Sequence, residues 1–277
     1  MARARINGVE LEYNDVGEGF PLVWAHEFAG SMESWEAQVS FFARRYRVIT
    51  YNARGYPPSE VPQDVAAYNQ DIAVADCYGL LQHLGIDQAY VGGLSMGGSL
   101  ALHFGLQHPE VARALIVAAA GTGSDDNEAF RASWREQAAR LQSQGMEALR
   151  EYAAGPARVQ LRRKDPAGYK RFVDLLMTHS GTGSALTGLG VQVARPPIYA
   201  WEAQCRALRV PTLIMCGDED EPCINSSVFL KRSIPSSGLV MFAQSGHAIN
   251  LEEPDAFNRA VWDFLTLVEA GKWGSKA

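Results

Sequence analysis

The chain has 277 residues, 47% apolar and 20% charged, which is the make-up of an ordinary globular protein and excludes an intrinsically disordered one. The formal net charge is −6, and the one dense basic run, Arg162-Arg163-Lys164, reads as a solvated helix end or loop, so no nucleic-acid partner is expected. Cys77, Cys205, Cys216 and Cys223 form no CxxC pair and no Cys–His set, which predicts buried free thiols in a reducing compartment and no metal.

The first residues carry charges with no apolar stretch behind them, unlike a secretory signal, and no run reaches the ~18 apolar residues of a membrane span. A cytoplasmic protein without a membrane partner is expected. Residues 3–16 predict a β-hairpin turning at Asn7-Gly8. Short apolar runs follow at 22–25, 47–51, 89–92, 114–118, 212–215 and 239–242. Runs without polar alternation suit strands buried on both faces, as in a parallel sheet. Between them, helical spacing places Trp35, Val39 and Phe42 on one face of 32–44, and Ile72, Cys77, Leu80, Leu81 and Leu84 on one face of 70–84. Further helices are predicted over 97–107 and 255–268. Strand and helix in alternation imply an α/β fold with helices on both faces of the sheet.

The alternation stops between 122 and 208. That stretch has helical pieces at 128–144, 146–153 and 167–177 and a Gly/Ser/Thr-rich link at 180–184, but no strand pattern. It predicts a helical cap inserted after the sixth strand, over a core domain made of 1–121 and 209–277. A cap there covers the crevice where open α/β sheets bind ligands.

Three segments carry chemistry. Gly93-Leu94-Ser95-Met96-Gly97 lies directly between a strand-like run and a helix, the setting that makes G-x-S-x-G a nucleophile turn. Ser245-Gly246-His247 follows the last strand, and His247 is the type of side chain able to take a serine proton near neutral pH. Cys216-Gly217-Asp218-Glu219-Asp220-Glu221 follows the strand before it and offers four acids, each of a type that accepts an imidazole N–H. The order Ser, acid, His is the one that accompanies G-x-S-x-G.

With these segments in place the chain resembles the α/β-hydrolase superfamily over nearly its full length. The resemblance implies a mostly parallel eight-stranded sheet. The family's G-x-x-D pattern selects Asp220, and its terminal S-G-H…N-x-E-x-P is matched by Ser245-Gly-His247-Ala-Ile-Asn250-Leu-Glu252-Glu-Pro254. Tyr51-Asn52-Ala-Arg54-Gly55-Tyr-Pro-Pro-Ser59 resembles the D-x-R-G-x-G-x-S turn, with Asn52 for the usual Asp, and Arg54 and Ser59 are read as scaffold. The family's H-G-x-x-G-S is departed from at His26-Glu27-Phe28-Ala29-Gly30-Ser31. The resemblance assigns the oxyanion hole to the Phe28 and Met96 amides, which do not depend on side-chain identity. His26 is read as bracing the turn. Glu27 is expected to point away and pair with a surface cation, the alternative being a pocket-facing carboxylate. His179, Trp134 and Tyr199 are candidate pocket residues of the cap.

The implied activity is that of a serine esterase or lactonase acting on a small-molecule ester or lactone, similar to carboxylesterases and 3-oxoadipate enol-lactonases, with no cofactor. Carbon–carbon hydrolases and cofactor-free perhydrolases share the constellation, and a non-catalytic receptor on the same fold is the rival from another class. Serine at position 95 argues against the dehalogenase and epoxide-hydrolase branches, which use Asp there.

Overall fold

A computed structural model describes residues 1–274. β1 (Ala2–Ile6) and β2 (Val9–Val16) form the hairpin, with Asn7 and Gly8 at φ of 47° and 84° in its turn. The apolar runs become β3 (Phe20–Ala25), β4 (Tyr46–Tyr51), β5 (Ala89–Leu94), β6 (Ala112–Ala118), β7 (Thr212–Gly217) and β8 (Ser237–Phe242). They make one 8-stranded sheet in the order β1-β2-β4-β3-β5-β6-β7-β8. The β1–β2 and β2–β4 pairings are antiparallel and the pairings from β4 through β8 are parallel, so the sheet is mostly parallel.

The crossovers carry α1 (Glu36–Phe42), α2 (Gln70–His83) and α3 (Met96–Gln107). Between β6 and β7 come α4 (Asn127–Gln144), α5 (Arg150–Ala153), α6 (Val159–Lys164), α7 (Pro166–Leu176), α8 (Gly181–Thr187) and α9 (Glu202–Ala207). α10 (Glu221–Ser233), α11 (Ile249–Glu252) and α12 (Pro254–Glu269) complete the chain. Alternate strand residues face opposite ways. Leu22, Trp24, Val48 and Ile116 pack against α1 and α12, whereas Val23, Ile49, Val91 and Val117 pack against α2, α3 and α10. A third apolar cluster joins Phe28 and Ala29, beyond β3, to Trp134, Leu141, Leu149, Leu161 and Phe172 of the inserted helices.

Two sequence expectations for the insertion change. The Gly/Ser/Thr-rich link is helical: the Ser180 side chain accepts from the Gly183 amide and caps α8, which continues as a wider π turn over Gly188–Val193. The poor helix formers are there for packing, because a Cβ on Gly183 would lie 2.0 Å from the Gly55 carbonyl oxygen. The basic run ends α6, but it is not merely solvated. Arg163 donates to Glu219 and to the Gln244 carbonyl, and Lys164 donates to Ser245 and Glu253, so the run fastens the insertion to the loops after β7 and β8. Among the described residues no helix is long and apolar enough to cross a membrane.

Trp24 and Trp35 stack at 4.6 Å, both buried, with Phe257 against each of them. Trp35→Ala therefore opens a cavity at the β3–α1–α12 junction and is expected to cost about 3–5 kcal/mol. Urea unfolding checks this, as a lower midpoint with an unchanged slope.

Candidate active site

The site begins as a backbone problem. β5 enters a turn so sharp that Ser95 takes φ 58° and ψ −109° before α3 starts at Met96. A non-glycine residue held there stores strain, and the serine side chain is thrust out above the strand end. The turn closes only because its neighbours lack side chains. A Cβ on Gly93 would lie 2.2 Å from the Gly97 carbonyl oxygen, and one on Gly97 would lie 2.0 Å from that of Ala25. The Ser95 amide donates to the Ala118 carbonyl at 2.8 Å, which fixes the turn to the end of β6. Met96 opens α3, so its amide belongs to the unpaired N-terminal donors of a helix.

The loops after β7 and β8 supply a second pair. His247 Nδ1 lies 2.7 Å from Asp220 Oδ2, with both side chains buried. Of the four acids in that loop, Asp220 alone reaches the imidazole. Asp218 accepts from the Ser245 amide, Glu219 is held by Gln160 and Arg163, and Glu221 is exposed. Burial disfavours a charged ring at 247, but the Asp220 carboxylate outweighs it and raises the pKa above the ordinary imidazole value. Glu252, which the motif match left without a role, accepts from the amides of Gly246 (2.7 Å) and Ala248 (3.1 Å) and so grips the peptide on both sides of His247. The insertion grips it from above: the His247 amide donates to the Ala157 carbonyl at 2.7 Å. Cys223 connects the two halves of the site, its thiol donating to the Ala119 carbonyl and its Sγ lying 4.0 Å from His247 Nδ1.

His26 braces the turn after β3. Its Nε2 accepts from the Ala53 amide, which leaves Nδ1 to donate to the Glu27 carbonyl, and burial lowers its pKa and keeps the ring neutral. The Phe28 carbonyl accepts from the Tyr56 hydroxyl at 2.9 Å, and the Gly30 amide closes the turn on Glu27. Arg54 forms a bidentate pair with Asp76, and Ser59 bridges Asn52 and Glu12, so both are scaffold.

Glu27 corrects the sequence reading. Its carboxylate meets no surface cation. It is buried, and both oxygens are engaged by the guanidinium of Arg158, from the loop that opens α6. Arg158 is 4% exposed, also donates to the Tyr152 hydroxyl, and lies over the rings of Tyr152 and Phe172. Burial presses the Glu27 carboxyl upward, yet Arg158 outweighs this and holds it below the usual carboxylate range. Nothing in the sequence singles out Arg158, which stands 131 positions from its partner.

The other candidates divide. Trp134 is buried edge-on to Phe28 with ring centroids 4.5 Å apart, in the wall beside the turn. His179 is 9% exposed, edge-on to Tyr56, and neither ring nitrogen has a hydrogen-bond partner among the described residues. Burial, with His26 nearby, pushes its pKa down to about 4. Tyr199 is not brought to the crevice, because its hydroxyl is taken by Asp125 and its ring packs on Phe229 of α10. All four cysteines are buried and free. Donor atoms of Asp220, Cys223 and His247 lie within 4.8 Å of one another, but they are already engaged together and burial holds the Cys223 thiol well above its ordinary pKa, which favours a protonated sulfur over a metal ligand. A groove of about 220 Å³ between α1, α7 and α11 reaches the turn at Ala29 and Gly30 but not Ser95.

A family model described as alpha/beta hydrolase fold matches residues 21–254. The chain is 29% identical to a 2-hydroxymuconate semialdehyde hydrolase of Pseudomonas sp., over 95% of this chain and 93% of that protein. It is 28% identical to 3-oxoadipate enol-lactonase 2 of Acinetobacter baylyi, over 91% and 92%. Among solved structures, an esterase of Thermogutta terrifontis superposes with a TM-score of 0.87 at 26% identity, covering 97% of this chain and 99% of that one.

Two predictions follow from the buried groups. Arg158→Met leaves the Glu27 charge buried and unpaired, and is expected to cost about 3–5 kcal/mol, much of which the double variant Glu27→Gln/Arg158→Met recovers. A double-mutant cycle by denaturant unfolding measures the difference. His179 binds a proton less readily in the folded than in the unfolded chain, so its contribution to stability is complete above pH ~6.5 and is lost as pH falls toward 4. Unfolding midpoints across that window should fall with acidification in the parent and less steeply in His179→Phe.

Proposed function

Because the chain belongs to the α/β-hydrolase family, we propose that it is a serine hydrolase in which Ser95, His247 and Asp220 act as a triad. The observations that support this reading are the strained Ser95 turn, tied to Ala118 at the end of β6, and a buried His247–Asp220 pair whose neighbour Cys223 donates to the carbonyl of the next residue, Ala119. The tautomer follows from that pair. With Nδ1–H donated to Asp220, Nε2 of His247 is the lone-pair nitrogen that takes the Ser95 proton as Oγ attacks the substrate carbonyl. The developing oxyanion falls to the Phe28 and Met96 amides, each on a backbone fixed by other contacts. Protonated His247 then returns the proton to the leaving group, and a water attacks the acyl-serine with the imidazole again as base.

The substrate carbonyl belongs to an ester or a lactone, in keeping with the enol-lactonase and esterase relatives. The second reading is hydrolysis of a carbon–carbon bond next to a ketone, favoured by full-length similarity to a 2-hydroxymuconate semialdehyde hydrolase. Residues 122–208 act in either case as the cap, whose 155–160 loop lies on both the His247 peptide and the oxyanion turn.

A fluorophosphonate probe should label Ser95 stoichiometrically, and Ser95→Ala should abolish both labelling and turnover of small p-nitrophenyl esters; a folded protein that refuses the probe marks a ligand-binding protein instead. The base must be neutral to act. Because the pKa of His247 is raised, the rising limb of the pH–rate profile should lie above the ~6.5 of a free imidazole. Asp220→Asn removes the carboxylate that raises it, and should move that limb to lower pH while cutting kcat about 10³–10⁴-fold.

A further inference from the structure

Three arginines sit at or near the crevice, and two have acids to match them: Arg54 has Asp76, and Arg158 has Glu27. Arg195, between the π turn and α9, forms no ion pair among the described residues. We propose that its guanidinium is the seat of a carboxylate on the substrate, so that the hydrolase takes an acidic ester, lactone or ketone. This rests on the serine-hydrolase reading above and narrows it to a substrate class.

The placement of the cation carries the argument. One Nη lies 3.4 Å from Ser99 Oγ, and the Ser99 amide donates to the Ser95 carbonyl, so the guanidinium touches α3 at the residue one helical turn after the serine. The other Nη donates to the Thr122 carbonyl at 2.9 Å. The Thr122 hydroxyl in turn lies 3.0 Å from Cys223 Sγ, the atom beside His247. Arg195 thus bridges the element that carries the nucleophile and the loop that borders the base.

Its surroundings do not neutralise it. Its partners are a hydroxyl and a carbonyl, and the Phe130 ring lies 5.6 Å from its centre. Burial lowers its pKa to about 10, so it remains charged at neutral pH, and the groups that oppose this, Cys223 and Tyr152, are neutral there. Asp71, which borders an outer cavity with Arg195, accepts a hydrogen bond from Gln107. With Glu27 matched by Arg158, the carboxylate on the oxyanion turn does not repel an incoming anion. A half-buried guanidinium with no acid beside it among the described residues is costly, and its planar fork is shaped for a carboxylate, which would complete the pairing when substrate binds.

The test compares mono-4-nitrophenyl glutarate, whose free carboxylate lies a few carbons from the reacting carbonyl, with neutral 4-nitrophenyl pentanoate. The parent should favour the charged ester in kcat/KM by tenfold or more. Arg195→Met should cut that ratio at least tenfold, chiefly by raising KM for the charged ester, and Arg195→Lys should restore part of it. A merely structural role lowers both substrates together and leaves the ratio in place, which overturns the proposal, as does a parent that shows no preference for the charged ester. Ser95→Ala run alongside separates the failures. If that variant still hydrolyses both esters, the triad reading is wrong; if turnover needs Ser95 yet ignores the charge, this inference alone falls.

Discussion

The turn at Ser95 is the constraint around which the rest of the site is organised. Its backbone runs so close to β3 and to the start of α3 that no side chain fits at Gly93 or Gly97, and Ser95 itself is held at a positive φ. Such a conformation persists only where its surroundings over-determine it. Here they do: the Ser95 amide is tied to β6, Gly97 lies against Ala25, and the parallel pairing of β5 with both β3 and β6 fixes the height at which the strand ends. The stability of the sheet thus maintains a strained turn that sets Ser95 at the end of β5.

Around that turn, charge is distributed with unusual economy. Most ion pairs among the described residues are exposed on at least one side and contribute little. The buried ones are few and each fixes a segment that borders the site. Arg54 with Asp76 holds the loop after β4 on α2, and Arg158 with Glu27 holds the opening of α6 on the turn after β3. The second pair has a mechanical consequence. Because Ala157 also binds the His247 peptide, one short loop of the insertion holds both the turn after β3 and the His247 loop. Glu27 is therefore a paired, buried carboxylate and not a free charge on the turn after β3. It is the anchor by which the helices above the sheet are joined to the chemistry below, and it loses its repulsion toward anions by being paired.

The same reasoning explains how much of the site was legible in advance. The Gly-x-Ser-x-Gly turn was readable because its demands are local: the glycines that let it close are two positions from the serine they serve. The His247 loop was readable because it directly follows a final apolar strand, and the ring there meets an acid of the preceding loop. Asp220 needed more. Four acids stood within one loop, and it was the path of the backbone, with Asp218 bound to Ser245 and Glu219 drawn to α6, that left Asp220 facing the ring. The partner of Glu27 had no local signal at all, since Arg158 lies in a segment with neither motif nor periodicity.

What the amino-acid order determined by itself was the set of strands, the alternation that makes the sheet mostly parallel and buried, and the strained turn with the serine it carries. Those features follow from backbone geometry and from burial patterns that repeat over a few residues. Only the tertiary structure decided which charges meet: Glu27 with Arg158, Lys164 with Glu253, and Arg195 with no acid among the described residues. Pairing between distant charges depends on which surfaces the fold brings together and dries, and a residue's neighbours in the chain carry no record of that.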